Sequence, residues 1–264
     1  MKILLTNDDG VQSPGLWAMA EKLVDLGEVT VTAPDRDQSG VGASMTLLEV
    51  VRAGEVESRV AGVKKTYAVE GTPADRVILA TETLVSHSFD LVVSGINQGA
   101  NLGLDIMTSG TVGAAFQGYF RKIPSIAVSV ASLTDVQYQA AAQATAALAG
   151  AISEGSAPSP LFLNVNLPNV TPDKIQRVEI TRLGPRAYIE SVERGNDGRR
   201  THYWIKHNKP TNFPVDEGTD IWAVRNNCVS ITPMNGIFDG RDDGYDFAAL
   251  VEAASRGLGL NVGS

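Results

Sequence analysis

The sequence predicts an α/β fold with a mostly parallel central sheet and helices on both faces of that sheet. Short apolar runs typical of buried strands alternate along the chain with segments of helical periodicity. Prolines and glycines stand where these segments would begin and end. With 264 residues and 43% hydrophobic content, the chain is long enough to bury such a sheet as one domain.

The N-terminal segment has the pattern of a βαβ unit. Residues 2–6 contain three consecutive apolar residues, at 3–5, and predict a buried strand. Ser13 and Pro14 predict the start of a helix, with serine as the N-cap and proline at the first helical position. Gly27 predicts the end of that helix, and the strand "EVTVTAP" ends at Pro34.

The same pattern recurs further along the chain. Thr72-Pro73 predicts a second helix start, with Asp75 completing a capping box. "FDLVVSGIN" predicts a strand that breaks at Gly95, and "IPSIAVSV" and "PLFLNVNLP" predict two more, separated by an alanine-rich helix at about residues 135–152. Right-handed crossovers would place the carboxyl ends of these strands along one sheet edge, where open α/β sheets bind ligands.

The pattern changes near residue 183. "YIESVERGNDGRRTHYWI" alternates polar and apolar residues around a Gly-Asn-Asp-Gly turn, which predicts a projecting hairpin at about 184–215. "TDIWAVRNNCVSITPM" predicts a helical turn and a returning strand. A C-terminal segment at about 236–264 would contain a last helix from Phe247 to Arg256, and we expect one domain over 1–264.

Charge and cysteine content exclude several classes of protein. The 22 basic against 30 acidic residues give a net charge of -8, so polymeric nucleic acid is not an expected partner. The single cysteine, Cys228, excludes an internal disulfide framework and a multi-cysteine zinc site. No apolar run reaches membrane-spanning length and the N-terminus lacks a signal-peptide pattern, so we expect a cytoplasmic protein without membrane contact.

The stretch "ILLTNDDG" runs a strand straight into two adjacent carboxylates, Asp8 and Asp9. One interpretation is a polar turn, because Asn, Asp and Gly are common turn residues. The other is a divalent cation site, in which the cation relieves the repulsion between the carboxylates and uses their hard oxygen atoms. The two interpretations have about equal weight on this motif alone.

Two further loops follow predicted strands. "PDRDQSGVGAS" has the composition of a linker or of backbone that approaches a ligand closely, and Ser39 could offer its hydroxyl to a metal. It lacks the spacing of a dinucleotide or P-loop motif. In "SGINQGANLGLDIMTSGTVGAAFQGYF", the asparagines can ligate a cation or grip a phosphate, and the Ser-Gly-Thr either binds phosphate at a helix start or is an ordinary cap. The candidate residues there are Asn97, Asn101, Ser109, Gly110 and Thr111.

Other candidate residues carry weaker signals. His87, His202 and His207 lack metal-binding spacing, so surface or satisfied core positions are the favoured interpretation. There is no G-x-S-x-G motif for a serine nucleophile. For Tyr203 and Trp204 on the predicted hairpin, packing or subunit contacts are the favoured interpretation, ahead of base stacking.

Several blocks together resemble the SurE family, the stationary-phase survival proteins. They are "ILLTNDDG", "APDRDQSGVGAS", "EGTPADRV", "DLVVSGINQGANLG" and "SGTVGAA", in the family's order across the first 120 residues or so, with "EGTDIWAV" and "VSITPM" extending the likeness toward residue 234. The resemblance implies a Rossmann-like core and a divalent-metal-dependent nucleotidase that removes phosphate from nucleoside monophosphates. It also implies dimer or tetramer contacts through the hairpin and the C-terminal segment.

The resemblance also implies roles for single residues. The implied ligands of one Mg²⁺ or Mn²⁺ ion are Asp8, Asp9, Ser39 and Asn97, and the implied phosphate-binding residues are Asn101, Ser109, Gly110 and Thr111. The chain departs from the family pattern at two places. Met107-Thr108 stands where a Tyr usually precedes Ser-Gly-Thr, and Cys228 stands where a Tyr is expected.

The chemistry expected from this set is attack of a metal-activated water on phosphorus, with Asp8 or Asp9 orienting the water or accepting its proton. A covalent aspartyl intermediate is not expected, because no D-x-D-x-T pattern is present. The 5'-nucleotidase activity could extend to 3'-nucleotides and polyphosphate. The alternatives are a non-catalytic nucleotide or phosphate sensor that uses the same metal site, a phosphatase for other esters, and an interaction protein built around the hairpin.

Overall fold

A computed structural model describes residues 1–155, 161–210 and 213–235, with no side chains from 207 to 210. Met1–Met234 form one compact unit. The predicted segment 236–264, with the helix expected from Phe247 to Arg256, lies outside the described residues.

Strands and helices alternate through most of this unit. The strands are β1 (Lys2–Thr6), β2 (Glu28–Pro34), β3 (Arg52–Glu55), β4 (Val63–Glu70), β5 (Leu91–Gln98), β6 (Ser125–Ala131), β7 (Phe162–Pro168), β8 (Val178–Ile180), β9 (Tyr188–Asn196), β10 (Thr201–Pro210) and β11 (Val229–Pro233). The α-helices are α1 (Pro14–Leu23), α2 (Pro73–Leu79), α3 (Gly110–Phe120), α4 (Tyr138–Ser153) and α5 (Asp220–Arg225). Shorter helical turns are Ala80–Leu84, Gly103–Thr108 and Pro172–Lys174.

Nine of these strands form one sheet in the order β3-β4-β2-β1-β5-β6-β7-β11-β8. All neighbouring pairs are parallel except β3 with β4 and β7 with β11. The strand order reverses direction at β1, which lies between β2 and β5. A reversal of this kind opens a crevice at the carboxyl ends of the strands, and the predicted loops leave from these three strands.

The helices cover both faces of the sheet, as the sequence predicted. Successive side chains of β1 point to opposite faces. Ile3 and Leu5 are buried in the core that contains α1 and α4, whereas Leu4 is buried with residues of α2 and α3. The mostly parallel α/β class is therefore confirmed.

Several local predictions are also confirmed. Pro14 begins α1, although the Ser13 side chain makes no capping hydrogen bond. Thr72 and Asp75 form the reciprocal capping box of α2. The predicted hairpin is the antiparallel pair β9–β10, which forms its own two-stranded sheet.

Two local predictions were wrong. Helix α1 ends at Leu23, before Gly27. Gly27 instead permits a close approach, because a Cβ atom there would lie 2.0 Å from the Met1 carbonyl oxygen. Strand β5 does not break at Gly95 but continues to Gln98, with a shift of register against β6 between Ser94 and Asn97.

Strands β3, β4 and β8 were not predicted from the sequence, because they carry exposed or charged residues over much of their length. No helix within 1–155, 161–210 and 213–235 is long and apolar enough to cross a membrane.

Candidate active site at the carboxyl edge of the sheet

The loops after β1, β2 and β5 meet at the carboxyl edge of the sheet. They line a cavity of about 460 Å³, within the usual size of small-molecule sites. Five of the predicted residues line this cavity, namely Asp8, Ser39, Asn97, Asn101 and Ser109. Asp9 lines an adjoining cavity with Ser39 and Gln98.

Asp8 is the most buried carboxylate of the site, with 3% of its surface exposed. Its Oδ1 atom accepts a hydrogen bond of 2.5 Å from the Thr111 hydroxyl, and its carbonyl oxygen accepts one from the Gln38 amide. Burial raises the pKa of Asp8, an effect opposed by the Thr111 hydrogen bond and the charge of Arg76. The side chain is therefore fixed in position before any ligand arrives.

Asp9 is half-buried beside Asp8. Its Oδ2 atom accepts a hydrogen bond of 3.3 Å from the Gln98 amide at the end of β5. Burial and the neighbouring Asp8 charge raise the pKa of Asp9 to about 7. The adjacent carboxylates thus repel each other in a poorly solvated place, and a cation there would relieve that repulsion.

Ser39 and Asn97 present neutral oxygen atoms to the cavity. The Ser39 hydroxyl donates to Asp37 Oδ1 at 2.6 Å, which leaves the lone pairs of its oxygen for another partner. The Asn97 amide nitrogen donates to the Gly99 carbonyl oxygen at 2.7 Å, so the amide oxygen remains for a ligand.

These donors suit a hard cation better than a soft one. Two carboxylates, a hydroxyl and an amide oxygen form an all-oxygen set, which Mg²⁺ and Mn²⁺ prefer. Among the described residues, no three His, Cys, Asp or Glu side chains are grouped as a metal site. The residues present fit the predicted divalent ion, with the neutral oxygens of Ser39 and Asn97 completing the carboxylate pair.

The N-terminus of α3 lies at the same cavity, which its N-cap residue Ser109 lines. The Ser109 hydroxyl oxygen accepts from the Val112 amide as the N-cap, and its hydrogen remains free to donate. The amides of Gly110 and Thr111 belong to the first turn, whose N–H groups lack intrahelical partners. Anions bind favourably at such a helix end.

The Thr111 hydroxyl differs from the other predicted phosphate-binding groups, because it is already engaged within the protein. It donates to Asp8 and the residue is fully buried, so the hydroxyl is not available to an anion. Gly110 allows α3 to approach Asp8 closely. A Cβ atom there would lie 2.7 Å from Asp8 Oδ2 and 2.8 Å from Pro73 Cγ.

Asn101 is held by side chains from two neighbouring strands. Its carbonyl oxygen accepts from the amide nitrogens of Asn164 and Asn166, both at 2.9 Å. Its backbone amide donates to Asn166 Oδ1 at 2.9 Å, and its side-chain amide donates to Ser129 Oγ at 2.8 Å. The second amide hydrogen of the Asn101 side chain remains for a phosphate oxygen.

These supporting residues were not predicted from the sequence, although some of them carry a signal there. Asn164 and Asn166 are polar residues at period two in the buried strand "FLNVNLP", which is unexpected unless a hydrogen-bond partner is present. Asp37 precedes Ser39 by two residues in "PDRDQSG".

Arg76 is a buried cation beneath the site and was also missed. Its guanidinium donates to the carbonyl oxygens of Asn7 and Gly71, both at 2.8 Å. Burial lowers its pKa to about 10, against the opposing charges of Asp8 and other carboxylates. Arg76 therefore remains charged at neutral pH and offsets part of the negative charge above it.

The weaker candidates lie away from this chemistry. His87 forms a hydrogen bond with Glu28 and packs against Phe89, and His202 contacts Trp204 edge to face. The side chain of His207 is outside the described residues. Cys228 is a buried free thiol.

Met107 and Thr108, the first departure from the family pattern noted in the sequence, precede the Ser109 cap of α3. Thr108 lines the cavity and Met107 is 67% exposed. The Thr108 carbonyl oxygen accepts from the Gly42 amide at 3.0 Å, which ties the loop after β2 to this turn.

The fold and the site define a class of protein: α/β proteins with a carboxylate pair, neutral oxygen donors and a helix N-terminus at the switch point of a parallel sheet. Comparison with known proteins then identifies the family. The family model described as "Survival protein SurE" matches residues 3–190. This chain belongs to the SurE family.

Relatives and a solved structure extend the likeness beyond the family model. The "5'-nucleotidase SurE" of Dehalococcoides mccartyi strain CBDB1 is 43% identical over 237 residues, which cover 89% of each chain. The "5'-nucleotidase SurE" of Geotalea uraniireducens is 45% identical, over 89% of this chain and 93% of the relative. The crystal structure of SurE protein from Aquifex aeolicus superposes with a TM-score of 0.73 at 38% identity and covers 93% of this chain and 100% of that chain.

Proposed function

We propose that the protein is a divalent-metal-dependent hydrolase of phosphate monoesters that acts on nucleoside monophosphates as a 5'-nucleotidase. The relatives that carry this name align over most of the chain. One observation of the site carries the proposal. Asp8, neutral oxygens and the start of α3 meet at one cavity, and Asp9 lines the adjoining cavity, which shares Ser39 and Gln98 with the first. A cation and a phosphate group therefore fit side by side.

A bound Mg²⁺ or Mn²⁺ supplies Lewis-acid polarisation of the phosphoryl group and a more acidic water. The residues proposed to hold it are Asp8, Asp9, Ser39 and Asn97. Asp9 is the better candidate for receiving a proton from the attacking water. It is half-buried, whereas Asp8 is buried and its Oδ1 atom accepts the Thr111 hydrogen bond.

The remaining groups act on the phosphate oxygens. The Asn101 side-chain amide, the Ser109 hydroxyl and the amides of Gly110 and Thr111 are donors for the charge that accumulates on the equatorial oxygens. Asn101 and Asp8 are held by neighbouring groups before binding, so little reorganisation is needed when the substrate arrives.

Three finer features belong to the same proposal. We expect a homodimer or homotetramer that uses the hairpin, whose surface carries exposed Trp204, Val192 and Ile189. Activity toward 3'-nucleotides and polyphosphate stays a prediction. So does residence in the cytoplasm.

The test is phosphate release from a panel of 5'- and 3'-nucleoside monophosphates, in EDTA and after Mg²⁺ or Mn²⁺ is restored. We expect release that depends on the added ion. Polyphosphate and simple phosphate esters in the same panel measure how far the activity extends.

Absence of release while Mn²⁺ and a nucleotide still bind by calorimetry would overturn hydrolysis and favour the sensor alternative. Release that persists in EDTA would overturn the metal dependence. A phosphorylated aspartate trapped during turnover would contradict attack by water.

A further inference from the structure

The base of the hairpin lines the same cavity as the phosphate-binding residues. Tyr188, Glu190 and Ile205 belong to the hairpin, and all three contribute to the cavity wall with Asn101 and Ser109. The register of β9 and β10 explains why they share a wall. Ile205 lies opposite Val192, and residues at period two before Val192 on β9 point to the same face.

A buried carboxylate joins the hairpin to the phosphate-binding turn. Asp105 lies in the turn between Asn101 and Ser109 and is 7% exposed. Its oxygens accept from the Arg186 side chain at 2.9 Å, the Ala187 amide at 2.7 Å and the Tyr188 amide at 2.9 Å. The backbone of Tyr188 is therefore held at a fixed place relative to the residues that would bind phosphate.

The Tyr188 side chain packs against the protein core on one side and borders the cavity on the other. It is half-buried and packs against an apolar cluster that includes Ala100, Leu102 and Ile221. It also lines the cavity, where Leu133 and Ile205 supply further apolar surface. An aromatic ring that is supported from behind can accept a flat partner with little loss of conformational freedom.

The wall around Tyr188 favours an organic group over more phosphate. Among the described residues that line the cavity, none is a lysine or an arginine, and Glu190 places a carboxylate beside Tyr188. Arg186 pairs with both Glu190 and Asp105. A second phosphate would meet a carboxylate and apolar side chains here, whereas a planar base would meet an aromatic face.

We infer that Tyr188 is a specificity-determining residue that stacks on the base of a nucleoside monophosphate whose phosphate lies at Asn101 and the start of α3. This inference rests on the proposed function. In this arrangement the phosphate of the substrate lies at the sheet edge. The base lies at the other end of the same cavity, against the hairpin.

The test compares a substrate that has a base with one that lacks it. Phosphate release from adenosine and guanosine 5'-monophosphates and from ribose 5-phosphate is measured for wild type, Tyr188→Ala and Tyr188→Phe. Tyr203→Ala is the matched control, since it removes the same side chain from the same hairpin at a residue that is 62% exposed and does not line the cavity.

We expect Tyr188→Ala to lower kcat/KM for the nucleotides about tenfold to a hundredfold, the usual cost of losing one base-stacking contact. Its kcat/KM for ribose 5-phosphate should change less than about threefold, because that substrate makes no stacking contact. Tyr188→Phe should resemble wild type, and Tyr203→Ala should show no selective loss.

An equal loss on both substrates, or no loss on either, overturns the inference. So does a selective loss in Tyr203→Ala, since the effect would then belong to the hairpin as a whole. If the wild type releases no phosphate, calorimetric binding of the same nucleotides decides. Affinity that falls in Tyr188→Ala but not in Tyr203→Ala supports the inference while the proposed hydrolysis fails, and unchanged affinity overturns both.

Discussion

The sheet edge and the hairpin position their residues in different ways. At the sheet edge, Asp8 and Asn101 are fixed by hydrogen bonds from distant segments of the chain. On the hairpin, Trp204, Val192 and Ile189 are at least 46% exposed. Within the described part of the chain, the hairpin strands pair only with each other.

This difference separates two tasks. The groups proposed to hold a cation and a phosphate are fixed by several hydrogen bonds each, as precise ligand placement requires. The outer hairpin is exposed, and its base is connected to the edge by the Asp105 hydrogen bonds and by the packing of Tyr188 against the apolar cluster that includes Ala100. Substitutions at the edge should therefore alter the chemistry, and substitutions on the outer hairpin should leave it intact.

The largest effect is expected from Asp9→Asn. Loss of the charged ligand should lower kcat by about 10³-fold or more, because metal polarisation is worth several kcal/mol. Phosphate release at saturating Mn²⁺ and calorimetric Mn²⁺ binding measure the change. Asp25→Asn removes an exposed carboxylate in the turn after α1 and serves as the control. Wild-type turnover in Asp9→Asn would refute the metal assignment.

Gly110→Ala should lower kcat/KM about a hundredfold, since its Cβ atom would displace Asp8 and the start of α3. Overpacking should also lower the free energy of unfolding by about 1–3 kcal/mol. Gly150→Ala in α4 is the matched control, because a Cβ atom there meets nothing within 4 Å. That control should stabilise the protein by about 0.5–1 kcal/mol. Equal denaturation midpoints for the two variants would contradict the close contact at Gly110.

Asn166→Ala should lower kcat/KM about tenfold with a smaller change in Mn²⁺ affinity, because it removes two hydrogen bonds that position Asn101. Asn164→Ala removes one such bond and should have a smaller effect. Steady-state kinetics with calorimetry separates the two quantities. The reverse ranking of the variants would count against this role of Asn166.

Stability in EDTA should fall as the pH rises from about 4 to about 7. The pKa of Asp9 is raised from 3.8 to about 7 in the folded protein. The unfolded chain therefore loses its proton first, and ionisation of the folded state costs on the order of 3 kcal/mol across that window. Thermal unfolding at several pH values measures the slope, which should flatten in Asp9→Asn and on addition of Mg²⁺ at pH 7. An unchanged slope in Asp9→Asn would assign it to other groups.

The smallest effect on chemistry is expected from Trp204→Ala on the outer hairpin. The free energy of unfolding should change by less than about 0.5 kcal/mol and phosphate release should be unaltered, as for other exposed residues. The mass in solution should fall if this surface joins subunits, and sedimentation velocity measures it. A mass identical to the wild type would place the subunit contact elsewhere.

The parts that the sequence predicted depend on short-range patterns. The capping box of Thr72 and Asp75, the start of α1 at Pro14 and the hairpin are local features, and each is present. The convergence of the three loops was also predictable, because parallel strands with right-handed crossovers align their carboxyl ends.

The parts that the sequence did not predict depend on contacts between distant residues. Asn101 and Asn166 are 65 residues apart, and Thr111 and Asp8 are 103 apart. No local pattern reports such pairs. Gly27 was assigned to a helix end because glycine is common there, whereas the Met1 carbonyl oxygen decides its identity.

The contact at Gly110 also limits how this site can change during evolution. Pro73 and Asp8 leave no room for a side chain at that position, so every substitution there displaces one of them. A library that samples all amino acids at position 110 and selects for activity should return glycine alone. The same selection at position 188 should return several aromatic residues. On the proposed roles, position 110 would preserve the reaction, and position 188 would let descendants of this protein change their substrate.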